Sequence, residues 1–253
     1  MKRTPKRSIP IEDPLKLLPR ALTKLHSVWL KLTYPFASIG TDVSIHYTTT
    51  LWRVTARSIK LGSSIIIAKD AWLNIIRPET DTDEPIITIE DGCGICPRCQ
   101  VSAKNSIHLE RDVLVSASVL MMDHSHAYAD ATVPIRAQGT SKGGTIRIGR
   151  GCWIGHGAAI ISTQGDLVLG RNCIVGANSV VTRSFPPYSV LTGNPARIVK
   201  QFDEASQTWV LGSARPIENE AVARQASNEL RKSNTTTAPS QPADSCGASV
   251  VVP

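Results

Sequence analysis

The stretch that decides the fold is IEDGCGICPRCQVSAKNSIHLERDVLVSASV, residues 89–119. Every sixth residue from Ile89 is aliphatic: Ile89, Ile95, Val101, Ile107, Val113 and Val119. A second run, Ile148, Ile154 and Ile160, resumes after a three-residue slip at Leu169, Val175 and Val181. A weaker opening run reads Ile39, Ile45 and Leu51, then Leu61, Ile67 and Leu73. A period of six fits neither a helix nor a lone amphipathic strand. It fits a short strand and a tight turn, repeated, so that stacked coils bury one continuous core.

Within each hexad the residue after the aliphatic one is often Gly, as in IGTDVS, IGRGCW and VGANSV, which suggests corners needing positive φ. The position four beyond the aliphatic is often small: Cys93, Cys99, Ala117, Cys152, Ala158, Cys173 and Ser179. These are expected to pack inward. Asn105 falls in that row and is expected there as a stacked structural Asn.

Aromatic residues make up only 5% of the chain, too few for a sandwich core but suited to an interior of Ile, Val and Leu. The formal charge of +7 favours anionic ligands or surfaces. No recognition helix, RNA-binding aromatic motif or zinc-finger spacing is present, so nucleic acid is not an expected partner. The CGICPRC run, residues 93–99, has metal-like spacing. The hexad register argues against it, since Cys93 and Cys99 fall on the inward position and Cys96 on a corner. No metal is expected. With no secretory signal and no bilayer-length apolar run, the expected compartment is a reducing cytoplasm.

The coils occupy residues 39–202, with a polar excursion at residues 125–144 (SHAYADATVPIRAQGTSKGG) and a smaller acidic one at 77–85. Before them, residues 1–38 hold a basic segment and an amphipathic helix with Leu15, Leu18, Leu22, Leu25, Trp29 and Leu32 on one stripe. This stripe is expected to cap the first coil. Contact with an anionic inner membrane face is the alternative. Residues 203–253 read as a largely flexible extension, with a short helix near 218–232.

These hexads resemble the hexapeptide-repeat acyltransferases, in particular the sugar O-acetyltransferases of the galactoside, maltose, nodulation-factor and colanic-acid kind. The resemblance implies an all-β fold, a left-handed parallel β-helix. Strand crossovers in general would favour the opposite hand. It further implies acetyl transfer from acetyl-coenzyme A to a sugar or glycan hydroxyl, and a homotrimer with active sites between subunits.

A histidine before the excursion, in LMMDHSHAYADATVPI, matches the family's general base and puts that role on His124. Asp123 and His126 flank it. Solvated loop positions are the simpler expectation for both, with orienting the imidazole or touching the acceptor the functional one. Ser125, Tyr128, Asp130 and Arg136 are candidate acceptor contacts. For the coenzyme, the resemblance points to Trp153 and His156 in GCWIGHGAAI. It also points to Ala177, Thr182, Arg183, Arg197 and Lys200 in VGANSVVTRSFPPYSVLTGNPARIVKQFD, where cations would meet phosphates. Two other classes share such coils: γ-type carbonic anhydrases, which would use His124, His126 and His156 as zinc ligands, and non-catalytic scaffolds.

Overall fold

A computed structural model describes residues 17–76 and 84–211. The chain winds through three sheets that form the sides of a prism. The first stacks strands Ser38–Ile39, Ile59–Leu61, Ile87–Ile89, Ser106–Leu109, Gly143–Ile148 and Gln164–Leu169. The second begins with Ser44–Ile45, Ile66–Ile67, Gly94–Ile95, Leu114–Val115, Trp153–Ile154 and Ile174–Val175. The third stacks Thr50–Leu51, Trp72–Ile75, Gln100–Ala103, Leu120–Met122, Ala159–Ile161 and Val180–Val181. All pairings among these strands are parallel, and the coil is left-handed.

The hexad positions stack coil upon coil. Ile39, Leu61, Ile89, Leu109, Ile148 and Leu169 form one row. Ile45, Ile67, Ile95, Val115, Ile154 and Val175 form the second. Leu51, Leu73, Val101, Met121, Ile160 and Val181 form the third. Almost all of these side chains are fully buried, and each buried Ile or Leu contributes roughly 2 kcal/mol.

One register expectation is corrected. Ile89, Ile95 and Val101 stack on Leu109, Val115 and Met121, two residues beyond the expected Ile107, Val113 and Val119. The corner at residues 102–105 holds two extra residues. The slip is silent in the hydrophobic pattern because Ile107, Val113 and Val119 are buried as well. Val113 and Val119 take the small inward position, giving their carbonyls to Gly94 and Gln100. Ala117 is consequently only half-buried, and Asn105 is an exposed corner residue instead of an inward one.

The hexad glycines are also needed for another reason than expected. Positive φ falls instead on corner residues such as Asp42, Asp112, Asn172 and Asn178, types that tolerate the left-handed region. Gly155 is required by close stacking: a Cβ there would sit 2.5 Å from the carbonyl oxygen of Val175 on the next coil.

The N-terminal helix α1, Leu17–Thr33, covers the first coil. It does so with the face opposite to the one expected. Leu30 is buried, and His26 Nδ1 and Ser27 Oγ lie at hydrogen-bond distance from the Ile45 carbonyl. Leu18, Leu22, Leu25, Trp29 and Leu32 are exposed. At the other end the second sheet closes with Ser189–Thr192, then antiparallel strands Arg197–Asp203 and Thr208–Leu211. The strands thus continue past residue 202, as far as the described residues go. The helix expected near 218–232 lies outside the described residues.

Among the described residues of the coils, the irregular connections gather on one edge of the prism, between the third sheet and the first. The 3-10 turn Arg53–Ser58, the Lys104–Asn105 corner and the long excursion all bridge those two sheets. Loops gathered on one edge of a rigid repeat scaffold are where a site is built.

Candidate active site

Asp123 and His124 follow the strand Leu120–Met122, at the point where the chain leaves the coil. Asp123 is wholly buried, not the solvated loop residue expected. Its carboxylate sits on the two-residue insertion of the previous coil. Oδ1 accepts the backbone N–H of Lys104 at 2.7 Å, and Oδ2 accepts those of Asn105 and Ser106 at 2.8 and 2.9 Å. The extra residues at that corner therefore bend three successive amides toward one carboxylate.

His124 is 5% exposed, and its Nδ1 lies 3.0 Å from Asp123 Oδ1. An ionised carboxylate only accepts, so Nδ1 carries the proton and donates it. Neutral His124 then holds its lone pair on Nε2, which has no hydrogen-bond partner among the described residues. A ring fixed by one nitrogen with the other left as a base is the arrangement that general-base catalysis requires.

The excursion is pinned at its root beside this pair. Gly144 N donates to the Asp123 carbonyl, and Ser141 N to the Ser125 carbonyl. Lys104 Nζ reaches Thr140 Oγ1 and the Ser141 carbonyl, and Asn105 Nδ2 donates to the carbonyls of Lys142 and Gly144. Gly143, at φ +78°, passes so close that a Cβ would lie 2.6 Å from the Asp123 carbonyl oxygen and 2.7 Å from Asn105 Nδ2. Sequence reasoning missed Lys104 and Gly143 and misplaced Asn105. The available signal was SAKN itself, a polar corner where the aliphatic row has two possible registers.

Beyond the root, His126 is exposed and pairs through its backbone with Thr140. Tyr128 is 74% exposed, and Arg136 is exposed as well. Asp130 is used by the loop: its Oδ1 accepts the N–H and hydroxyl of Thr132, which hold its carboxyl below the usual carboxylate range. Gln138 bonds the backbone of Asp130 at both N–H and carbonyl. These contacts shape the excursion and leave Tyr128 and Arg136 displayed on it.

The coenzyme candidates do not converge on one spot of the subunit. Thr182 and Arg183 lie on the same edge as His124, two coils further along by the strand register, or roughly 10 Å at ordinary strand spacing. The Arg183 guanidinium lies 5.2 Å over the Phe185 ring, and its buried Nε has no hydrogen-bond partner among the described residues. His156 and Ala177 stack, exposed, on the other edge of the third sheet, where the His156 carbonyl accepts Asn178 N. Arg197 and Lys200 sit on the closing antiparallel strand, and Arg197 Nη1 is given to the carbonyls of Pro195 and Ala196. Trp153 stands on the outer surface of the second sheet, its Nε1 donating to Ser116 Oγ.

Of the proposed zinc ligands, His124 is tied to Asp123 and His156 is on another edge. Among the described residues no three His, Cys, Asp or Glu side chains gather as a metal site. Cys93 and Cys99 are buried, with Sγ donating to the carbonyls of Glu110 and Ser116.

Comparison with known proteins finds acyltransferases by sequence and by fold. Over 130 residues the chain is 25% identical to the Escherichia coli K12 protein described as "Putative lipopolysaccharide biosynthesis O-acetyl transferase WbbJ", covering 49% of this chain and 65% of that one. Over 120 residues it is 35% identical to "Probable acetyltransferase Rv3034c" of Mycobacterium tuberculosis, covering 45% and 38%. Both of these similar proteins are described as acetyltransferases. It spans less than two thirds of the length of either of these relatives. No family model matches. The fold is shared with AntD, an N-acyltransferase from Bacillus cereus solved with dTDP and 3-hydroxybutyryl-CoA. The TM-score is 0.56 at 18% identity, over 83% of this chain and 97% of that one.

Proposed function

We propose that this chain is an acetyl-coenzyme A-dependent O-acetyltransferase acting on a hydroxyl of a sugar or glycan precursor. The observation that carries the proposal is the Asp123–His124 pair, buried at the root of the excursion with Nε2 left as a base. Nε2 takes the acceptor hydroxyl proton while that oxygen attacks the thioester carbonyl carbon. The tetrahedral intermediate collapses with cleavage of the carbon–sulfur bond, and the imidazolium returns the proton to the departing thiolate. Asp123 keeps its negative charge and stabilises the transient imidazolium. Transfer is direct, through a ternary complex.

The residues present suit coenzyme A. Arg183 offers a cation on the His124 edge, and the small exposed Ala177 offers open backbone on the opposite edge of the same sheet. The acceptor class rests on the relative described by its part in lipopolysaccharide biosynthesis and on AntD, solved with dTDP.

We place the active enzyme in a homotrimer in the cytoplasm. Its support is an outward row along the second sheet, in which Ile66, Leu114 and Trp153 are 60%, 48% and 48% exposed and share one register line. Such a stripe calls for a partner surface. Among the described residues no helix is long and apolar enough to cross a membrane.

The test is release of free thiol from acetyl-coenzyme A in the presence of a panel of free sugars, nucleotide sugars and lipid-linked sugars, with mass spectrometry of products. An acceptor gaining an acetyl ester supports the proposal. Acetylation confined to amino sugars at nitrogen would replace it with N-acetyl transfer.

A further inference from the structure

We propose that the outer face of α1 docks this protein onto the surface of an anionic phospholipid bilayer. This rests on the helix alone and not on the activity proposed above.

Leu18, Leu22, Leu25, Trp29 and Leu32 are 68%, 41%, 69%, 51% and 79% exposed, and Leu17 and Val28 widen the patch at 50% and 58%. Their spacings of four, three, four and three residues place them on one side of a helix that turns about 100° per residue. The inner side is already occupied: Leu30, His26 and Ser27 hold the first coil at Ile45. The apolar stripe is therefore surplus to the cap, and it lies beyond the end of the prism.

The charges identify the occupant. Between Leu17 and Thr33 stand Arg20, Lys24 and Lys31 and no acidic residue. Their spacing of four and seven puts all three along one border of the apolar stripe. Lys31 is steadied there by donating Nζ to the Gly40 carbonyl while staying exposed. A second copy or another protein would bury the apolar stripe just as well, but would have to answer a border of cations with acidic groups that this helix does not itself supply. A bilayer interface answers both at once: acyl chains take the leucines, an indole sits at headgroup depth, and anionic headgroups meet the cations. Arg53 Nε donates to the Thr33 carbonyl, which brings exposed Trp52 and Val54 to the C-terminal end of the same helix.

The test is flotation of the full chain with vesicles of phosphatidylcholine alone and of phosphatidylcholine with phosphatidylglycerol. Wild-type protein is expected to float with the anionic vesicles at low salt and far less with the neutral ones. Leu25→Gln and Leu32→Gln, both at exposed positions, should each lower the partition by about tenfold. Lys24→Glu should lower it on anionic vesicles only. Circular dichroism melts unchanged from wild type establish that each variant is folded. Failure of the folded wild-type chain to float overturns the proposal, as does equal flotation of the Leu25→Gln, Leu32→Gln double variant. Loss of a soluble oligomer in that variant, with no vesicle binding by wild type, would assign the face to a second copy.

Discussion

His124 Nδ1 lies 3.0 Å from Asp123 Oδ1, and the same carboxylate accepts three backbone N–H groups from residues 104–106 of the neighbouring coil. The imidazole is thereby positioned by the β-helix itself and not by the outer part of the excursion. The three backbone amides fix the carboxylate in place. The carboxylate fixes the tautomer, and the tautomer leaves Nε2 basic.

Replacing His124 by Ala should lower kcat by roughly 10²–10⁴-fold, the usual worth of a general base. The Kd for acetyl-coenzyme A should change little, because the imidazole acts mainly in the transition state. His126→Ala, at an exposed position with no side-chain hydrogen bond among the described residues, should cost far less. Steady-state kinetics with a working acceptor and calorimetric titration of the coenzyme check both. Near-normal turnover by the His124 variant would remove it as the base.

Asp123 carries a structural load as well as a chemical one. In Asp123→Ala the N–H groups of Lys104, Asn105 and Ser106 lose their buried acceptor. A hydrogen bond to a charged group contributes about 1.5–3 kcal/mol, and at this part-buried corner urea unfolding should show a loss of a few kcal/mol for the three together, alongside lost turnover. A variant as stable as wild type would mean the corner is satisfied in some other way.

The sequence made the coils legible because the inward rows are aliphatic at a period no other element has. It left the register after Val101 open, because Ile107 and Leu109 are both aliphatic and both buried. That ambiguity hid the corner that makes the site, and with it the burial of Asp123. The helix face was misread for a related reason. Apolar side chains at helical spacing tell which side is apolar, not whether the protein or another surface covers it. His124 could be singled out because it matches the histidine of the family it resembles and stands where the period breaks, and a break in a repeat marks a place the fold has left for something else.

The cysteines within residues 93–99 should behave as core residues. Burial pushes the Cys93 thiol up to about 11 and raises Cys99 as well. Iodoacetamide at pH 8 should label half-buried Cys96 in the native protein and reach Cys93 and Cys99 only on unfolding. A raised folded-state pKa stabilises the protein fully below the ordinary thiol value, and that contribution is lost as pH climbs through about 11. Mass spectrometry of the labelled peptides reads the pattern. Rapid native labelling of Cys93, or stoichiometric zinc in purified protein, would contradict the buried row.

Among the cations assigned to the coenzyme, Arg183 should matter more than Arg197. Arg183 shares the His124 edge and its Nε has no hydrogen-bond partner among the described residues, whereas Arg197 Nη1 is engaged by two carbonyls of the preceding turn. Arg183→Ala should raise the KM for acetyl-coenzyme A by about tenfold with kcat nearly intact, as expected for loss of ground-state binding. Arg197→Ala should shift it less, and rising salt should mimic the Arg183 change. The opposite order would move the phosphate contacts to the closing strand.

The last prediction concerns Trp153, whose position on the outer surface separates it from His124 within one subunit. Two roles are open to such a residue: lining a site completed by a neighbouring copy, or packing between copies. Both require association, so the chain should sediment as a trimer at micromolar concentration. Leu114→Asp places a charge in the middle of the apolar row without touching the core, since Leu114 is 48% exposed. It should yield a folded monomer with turnover greatly reduced, because the site is expected to be complete only between subunits. Trp153→Phe keeps the ring and loses the hydrogen bond to Ser116, so it should keep the trimer. A fall in activity for the Phe variant would then report a contact with substrate across the interface. A wild-type monomer by sedimentation velocity, active at normal rates, would put the entire site on one chain and leave the outer row unexplained.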